Sequence, residues 1–153
     1  IYGQSGGIFY GRRRSQAQLM SLCQRFGFTL DPDTTIASLS IGQRQQLEIV
    51  RLLALGVKTL ILDEPTTGIS AEQKSLLFGA LRELAKNDGM SILLVSHKLE
   101  DVIALCDEVI VLRGGKLVGD AIMPATKSKL VILMFGQELA AQTKSPLAGN
   151  DMK

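Results

Sequence analysis

Apolar positions recur along this chain with helical spacing in some stretches and as unbroken short runs in others. Leu19, Leu22, Cys23 and Phe26 fall on one face of a helix predicted over Ser15–Phe26, and Gly27 supplies its stop. Residues 1–14 are Gly-rich and then basic, and read as a loop. Leu30–Ser38 carries Asp, Pro and Thr and reads as irregular connection. Ser40 is a good N-cap, and Gln43 three residues on completes a capping box. Leu47, Val50 and Ala54 continue one apolar face of that helix, which Gly56 ends. Ser70 and Gln73 repeat the capping box. Leu76, Leu77, Ala80, Leu81 and Leu84 then form the buried stripe of a helix closing near Asp88-Gly89. Leu99–Cys106 predicts a short helix and Lys127–Phe135 a last one.

Thr59–Leu62 and Ile92–Val95 are short apolar runs without alternation, which predicts strands buried on both faces of a parallel sheet. Glu108–Leu112 and Lys116–Val118 flank Gly114-Gly115, a hairpin signal. Strand, helix, strand, helix, strand predicts an α/β fold with a parallel sheet and right-handed crossovers. Ligands of such sheets sit at the carboxyl ends of the strands. Asp63, Glu64 and His97 all fall there. From Ala140 onward the chain is polar and small, and a frayed tail is expected.

Composition narrows the function classes. A chain of 153 residues with 46% apolar content can bury a substantial core, and its net charge of +2 is too small to imply a nucleic-acid partner. Arg12-Arg13-Arg14 is the main basic run and reads as a solvated helix entry. Cys23 and Cys106 lie far apart and make no metal-ligand pattern, so a reduced, cytosolic setting is the default. No apolar run approaches the roughly 18 residues of a membrane span. The start Ile1-Tyr2-Gly3-Gln4 has no initiator Met and no signal pattern, so a piece of a longer protein is expected.

Three motifs carry the chemistry, and each also has a bland reading. A strand ending in Asp63-Glu64 can be a solvated strand-to-loop junction. Ser40 with Gly42 can be a plain helix cap, whose loss costs about 1 kcal/mol. The same turn presents free N–H groups and the positive end of a helix dipole, and Gly42 has no side chain to hold an anion away. A single histidine such as His97 at a strand end is often structural.

Taken in order, Leu39-Ser40-Ile41-Gly42-Gln43, Leu60-Ile61-Leu62-Asp63-Glu64-Pro65 and Val95-Ser96-His97 resemble the signature loop, Walker B motif and switch histidine of ATP-binding cassette (ABC) ATPases. The resemblance runs from about Ser15 to about Gln137. It implies a P-loop NTPase-like parallel sheet, present in part, with helices on both faces and part of the ABC helical subdomain. It divides the chain into residues 1–57 (helical subdomain and signature helix), 58–136 (the C-terminal part of the ATPase core) and 137–153 (a flexible tail). The resemblance makes Asp63 a Mg²⁺ ligand, Glu64 the residue that orients or deprotonates the attacking water, and His97 a contact to the γ-phosphate or the water. Ser40, Gly42 and Gln43 would meet ATP held by a second cassette. The signature departs from the usual pattern at Ile41, where glycine is common. Thr66-Thr67-Gly68-Ile69-Ser70 occupies the place of the D-loop, with Ser70 where many members have aspartate.

Phe28–Leu39 and Leu130–Gly136 are similar to segments of simple-sugar and nucleoside importers. That implies ATP and Mg²⁺ as cofactors, a second nucleotide-binding domain and membrane-spanning permease subunits as partners, no nucleic acid, and a peripheral place on the cytoplasmic face of the membrane. The alternatives are a soluble ABC-type ATPase of DNA or ribosome metabolism and a non-catalytic ABC-fold module. No Gly-rich loop ending in Lys-Ser or Lys-Thr occurs in the chain. The chain alone is therefore expected not to hydrolyse ATP.

Overall fold

The computed structural model describes residues 8–136, with side chains from residue 16 onward. The chain divides into two units, one ending at Val95 and the other beginning at Ser96.

The first unit holds α1 (Ile8–Phe26), α2 (Ile41–Ala54), β1 (Thr59–Asp63), α3 (Ala71–Asn87) and β2 (Ser91–Val95). Helix α1 begins at Ile8, so the loop reading of residues 1–14 is corrected over residues 8–14; the earlier part lies outside the described residues. Arginine is a good helix former, and one internal glycine costs only about 1 kcal/mol, so neither the basic run nor Gly11 stops the helix. Helix α1 packs on α2 and α3. Its end is tied to α3 by Arg25, whose Nε lies 2.7 Å from Glu83 Oε1 and whose Nη1 and Nη2 meet the two oxygens of Asp88 at 2.9 and 3.0 Å. Hydrogen bonding from that guanidinium holds the Asp88 carboxyl below its ordinary range.

Both predicted capping boxes form, at Ser40/Gln43 and at Ser70/Gln73. Helix α3 buries Leu77, Phe78, Ala80, Leu81 and Leu84, close to the predicted stripe. Helix α2 differs. Its buried line is Gly42, Gln46, Ile49 and Val50, and Leu47 is only half-buried. Two of those four residues have no apolar side chain, so hydropathy could not mark the face.

Strands β1 and β2 pair in parallel, with Thr59 opposite Ser91 and Asp63 opposite Val95, and α3 makes the crossover between them. The expectation of burial on both faces is corrected. Leu60 and Leu62 are buried, but Ile61 is 66% exposed, Leu93 54% and Val95 47%. An unalternating apolar run shows that both faces suit burial, not that both are covered. Ile61 and Leu93 are register partners, so this apolar face is continuous. The 153-residue chain is therefore expected to bind the dye ANS in its native state. The double variant Ile61→Thr/Leu93→Thr should lose most of that fluorescence at little cost in stability, because both side chains already face water. Unchanged dye binding would place the accessible apolar surface elsewhere.

The second unit holds α4 (Leu99–Leu105), β3 (Glu108–Arg113), β4 (Lys116–Ile122) and α5 (Lys127–Phe135). Strand β3 does not extend a parallel sheet among the described residues, contrary to the simplest strand-helix-strand reading; it pairs antiparallel with β4. The cause is local. Arg113 and Lys116 are paired across Gly114 and Gly115, at φ 58° and 74°, a two-residue turn of the primed kind that only residues tolerant of positive φ form readily. Helix α5 packs on the hairpin, and its Leu130 is buried with Val111 and Ala121. The expected tail from Ala140 lies outside the described residues. No described helix is long and apolar enough to cross a membrane.

Candidate functional site

Two clusters of predicted site residues lie in the first unit. The first is the turn that opens α2. Ser40 is extended, at φ −62° and ψ 165°, and its Oγ accepts the Gln43 N–H at 3.2 Å. Gln43 returns the bond, its Oε1 accepting the Ser40 N–H at 3.0 Å, while its Nε2 donates to the Thr29 carbonyl at 3.2 Å. Arg44 Nε donates to the Leu39 carbonyl at 3.1 Å. The turn is thus fixed from both sides, and Gln43 spends its side chain on holding it.

Gly42 is buried beneath the Gln73 side chain. A Cβ at Gly42 would fall 2.5 Å from Gln73 Oε1 and 2.6 Å from Gln73 Nε2. Gln73 belongs to the cap of α3, and its Nε2 also reaches Ser40 Oγ at 3.5 Å. A second contact joins the same segments, since a Cβ on Gly68 would stand 3.1 Å from Ile41 Cδ1. The isoleucine that departs from the usual signature therefore lies over a glycine of the following loop. Gln73 escaped the sequence reading because its capping role explained it fully.

The second cluster is the end of β1. Asp63 is the last strand residue, exposed, and on the open face with Ile61 by strand alternation. Glu64 follows with φ 46°, the one non-glycine at positive φ among the described residues. A glutamate in this region is strained, of order 1–3 kcal/mol. Two bonds fix it: the Glu64 N–H donates to the Val95 carbonyl at 2.8 Å, and the Glu64 carbonyl accepts the Thr67 N–H at 3.1 Å. Pro65 and Thr66 behind it are buried. The carboxylate is half-buried, with Oε2 shielded from solvent. Asp63 and Glu64 are thus adjacent residues under different constraints, one open and one held.

His97 lies in the second unit, two residues beyond the end of β2, and is exposed. Beside it the Lys98 N–H donates to Ser96 Oγ at 3.1 Å. Among the described residues no group of three or more His, Cys, Asp or Glu is placed to hold a metal. Asp63 presents a single exposed carboxylate, an oxygen donor of the kind hard cations take. Cys23 and Cys106 are free, and burial raises both thiols above their ordinary range, so neither is an activated nucleophile.

The ABC transporter family model matches residues 4–67, a span that contains both the α2 turn and Asp63-Glu64. The chain is 34% identical to the ribose import ATP-binding protein of Rubrobacter xylanophilus over 93% of its own length, and 39% identical to that of Chromobacterium violaceum over 84%. The chain is thus similar to ATP-binding proteins of the ABC transporter family over most of its length. It is also 35% identical to the arabinose import ATP-binding protein of Rhizobium johnstonii, over 88% of its length. These proteins are much longer: the chain spans 29%, 25% and 27% of them respectively. Its fold is that of solved cassettes. A metal-chelate type ABC transporter in an inward-facing conformation matches 87% of the chain with a TM-score of 0.68 at 22% identity, over 52% of its own chain. A dimeric ATP-binding cassette bound to ADP and Pi matches 82% with a TM-score of 0.62 at 20% identity, also over 52% of its own chain.

Proposed function

We propose that this chain is the C-terminal part of a cassette that binds and hydrolyses ATP to drive uptake of a simple sugar. The observation that carries the reading is Glu64. A glutamate held at positive φ between two backbone hydrogen bonds costs stability where a glycine or asparagine would not. It stands at the carboxyl end of a parallel strand, where ligands of such sheets bind.

In this reading residues 1–57 belong to the helical subdomain and 58–136 to the ATPase core. Glu64 takes the proton of the attacking water. The buried Oε2 and the fixed backbone restrict where its carboxylate can point, which is what a positioned base needs. Asp63 would hold Mg²⁺, in part through water, and the ion would spread the charge of the phosphates. His97 is the proposed switch residue. The α2 turn offers backbone N–H groups and the positive end of a dipole to a phosphate bound on a second cassette, with Ser40 adding its hydroxyl. Gln43 contributes by holding the turn. Partners would be that second cassette and permease subunits, on the cytoplasmic face of the membrane. The relatives named for ribose and arabinose import support a sugar as the cargo.

The test separates the chain from the complete gene product that carries it. The 153-residue chain contains no lysine-bearing phosphate loop. By calorimetry it should bind Mg-ATP weakly or not at all, and it should show no turnover. The complete gene product should hydrolyse ATP in a Mg²⁺-dependent way. Micromolar affinity in the chain alone, or no hydrolysis by the complete product, would overturn the reading.

A further inference from the structure

Gln73 does more than cap its own helix. Its Oε1 accepts the Ser70 N–H at 3.2 Å, closing the box on α3, while its Nε2 extends to Ser40 Oγ at 3.5 Å, on the cap of α2. Its amide lies over Gly42, where any side chain would collide with it. The N-termini of two helices distant in sequence thus converge on one half-buried amide. Only an amide suits the place. It offers an acceptor to one cap and a donor to the other. A glutamate of the same shape would keep the acceptor for α3 but lose the donor to Ser40. It would also set a negative charge beside the first turn of α2, whose dipole end and N–H groups attract anions.

We propose that Gln73 is a positioning residue for the α2 turn: it holds the Ser40 hydroxyl and keeps negative charge away from that turn, so that its N–H groups remain available to the phosphate of a partner cassette. The proposal rests on the reading that the α2 turn receives that phosphate. The contact of Ile41 with Gly68 reinforces the arrangement, since it joins the same two segments through apolar atoms. Gly68 lies four residues after Glu64, so the chain running from the held carboxylate reaches the α2 turn within one short loop.

The test compares Gln73→Glu and Gln73→Met in the complete gene product, with Gly42→Asp as control. The readouts are thermal midpoint, ATP-driven dimerisation on a Glu64→Gln background, and KM and kcat on the native background. Glutamate caps α3 as well as glutamine does, so Gln73→Glu should keep the thermal midpoint. It should raise KM and weaken dimerisation by about tenfold at low salt, and much of that loss should vanish in high salt, where a half-exposed charge is screened. Gln73→Met removes both hydrogen bonds without adding charge; it should lower the thermal midpoint and show no recovery with salt. The proposal falls if Gln73→Glu dimerises as the parent does while Gly42→Asp does not. It falls equally if the defect of Gln73→Glu is independent of salt or tracks a lowered thermal midpoint, since a purely structural cap would behave that way. If Gly42→Asp itself dimerises normally, the reading of the α2 turn has failed and the proposal goes with it.

Discussion

Replacing Glu64 by glutamine in the complete gene product is expected to cut ATP turnover by about 10²–10⁴-fold while nucleotide binding persists. That range is what a positioned general base contributes. Glutamine has nearly the shape of glutamate and can occupy the same strained backbone, so the bonds to Val95 and Thr67 should survive. The change removes the proton acceptor and little else. Nucleotide-bound dimers should then accumulate, because the step that reopens them is blocked. Single-turnover hydrolysis and sizing chromatography with ATP check both halves of the expectation. Turnover near the parental rate would remove Glu64 from the base role.

The second large effect is expected at Gly42. Aspartate there should abolish ATP-driven dimerisation and also lower stability. The burial of Gly42 explains the second part. A new side chain must displace the Gln73 amide, and with it half of the α3 capping box and the link to Ser40. Losing a cap of this kind costs about 1 kcal/mol. A negative charge in the first turn of α2 returns some of it through the helix dipole, so the net loss should be small enough for the fold to survive. Dimerisation should fail for a separate reason: a negative charge would be set beside the turn that receives the γ-phosphate, inside a closed interface where charges are poorly screened. Urea denaturation reads the first effect, and sizing chromatography with ATP on the Glu64→Gln background reads the second. Normal dimerisation by a slightly destabilised protein would reduce Ser40 and Gly42 to a helix cap.

Much of the fold could be read from residue pattern because its signals are local. Both capping boxes, the α3 stripe, the Gly-Gly hairpin and the span of α5 depend on neighbours within a few residues. What escaped depends on contacts distant in sequence. The buried face of α2 runs through Gly42 and Gln46, neither of which an apolar pattern can register. The exposure of Ile61 and Leu93 depends on which neighbours cover the sheet, not on the strands themselves. The candidate site divides in the same way. Asp63 and Glu64 were legible as a pair at a strand end. The positive φ of Glu64 was not, because the bond that holds its N–H comes from Val95, on another strand and distant in sequence. Gln73 was hidden by its own sufficiency as a capping residue. Ile41, a departure when the motif is read alone, fits once Gly68 is seen beneath it.

The backbone at Glu64 has a consequence for anyone breeding a hardier version of this protein. At that position a glycine, or an asparagine, would relax the chain, so a screen that rewards heat resistance alone will drift toward losing the carboxylate. Selection for durability and selection for turnover pull this one residue in opposite directions. Robustness gained elsewhere in the molecule is safe, but robustness gained here would come from a protein that no longer works.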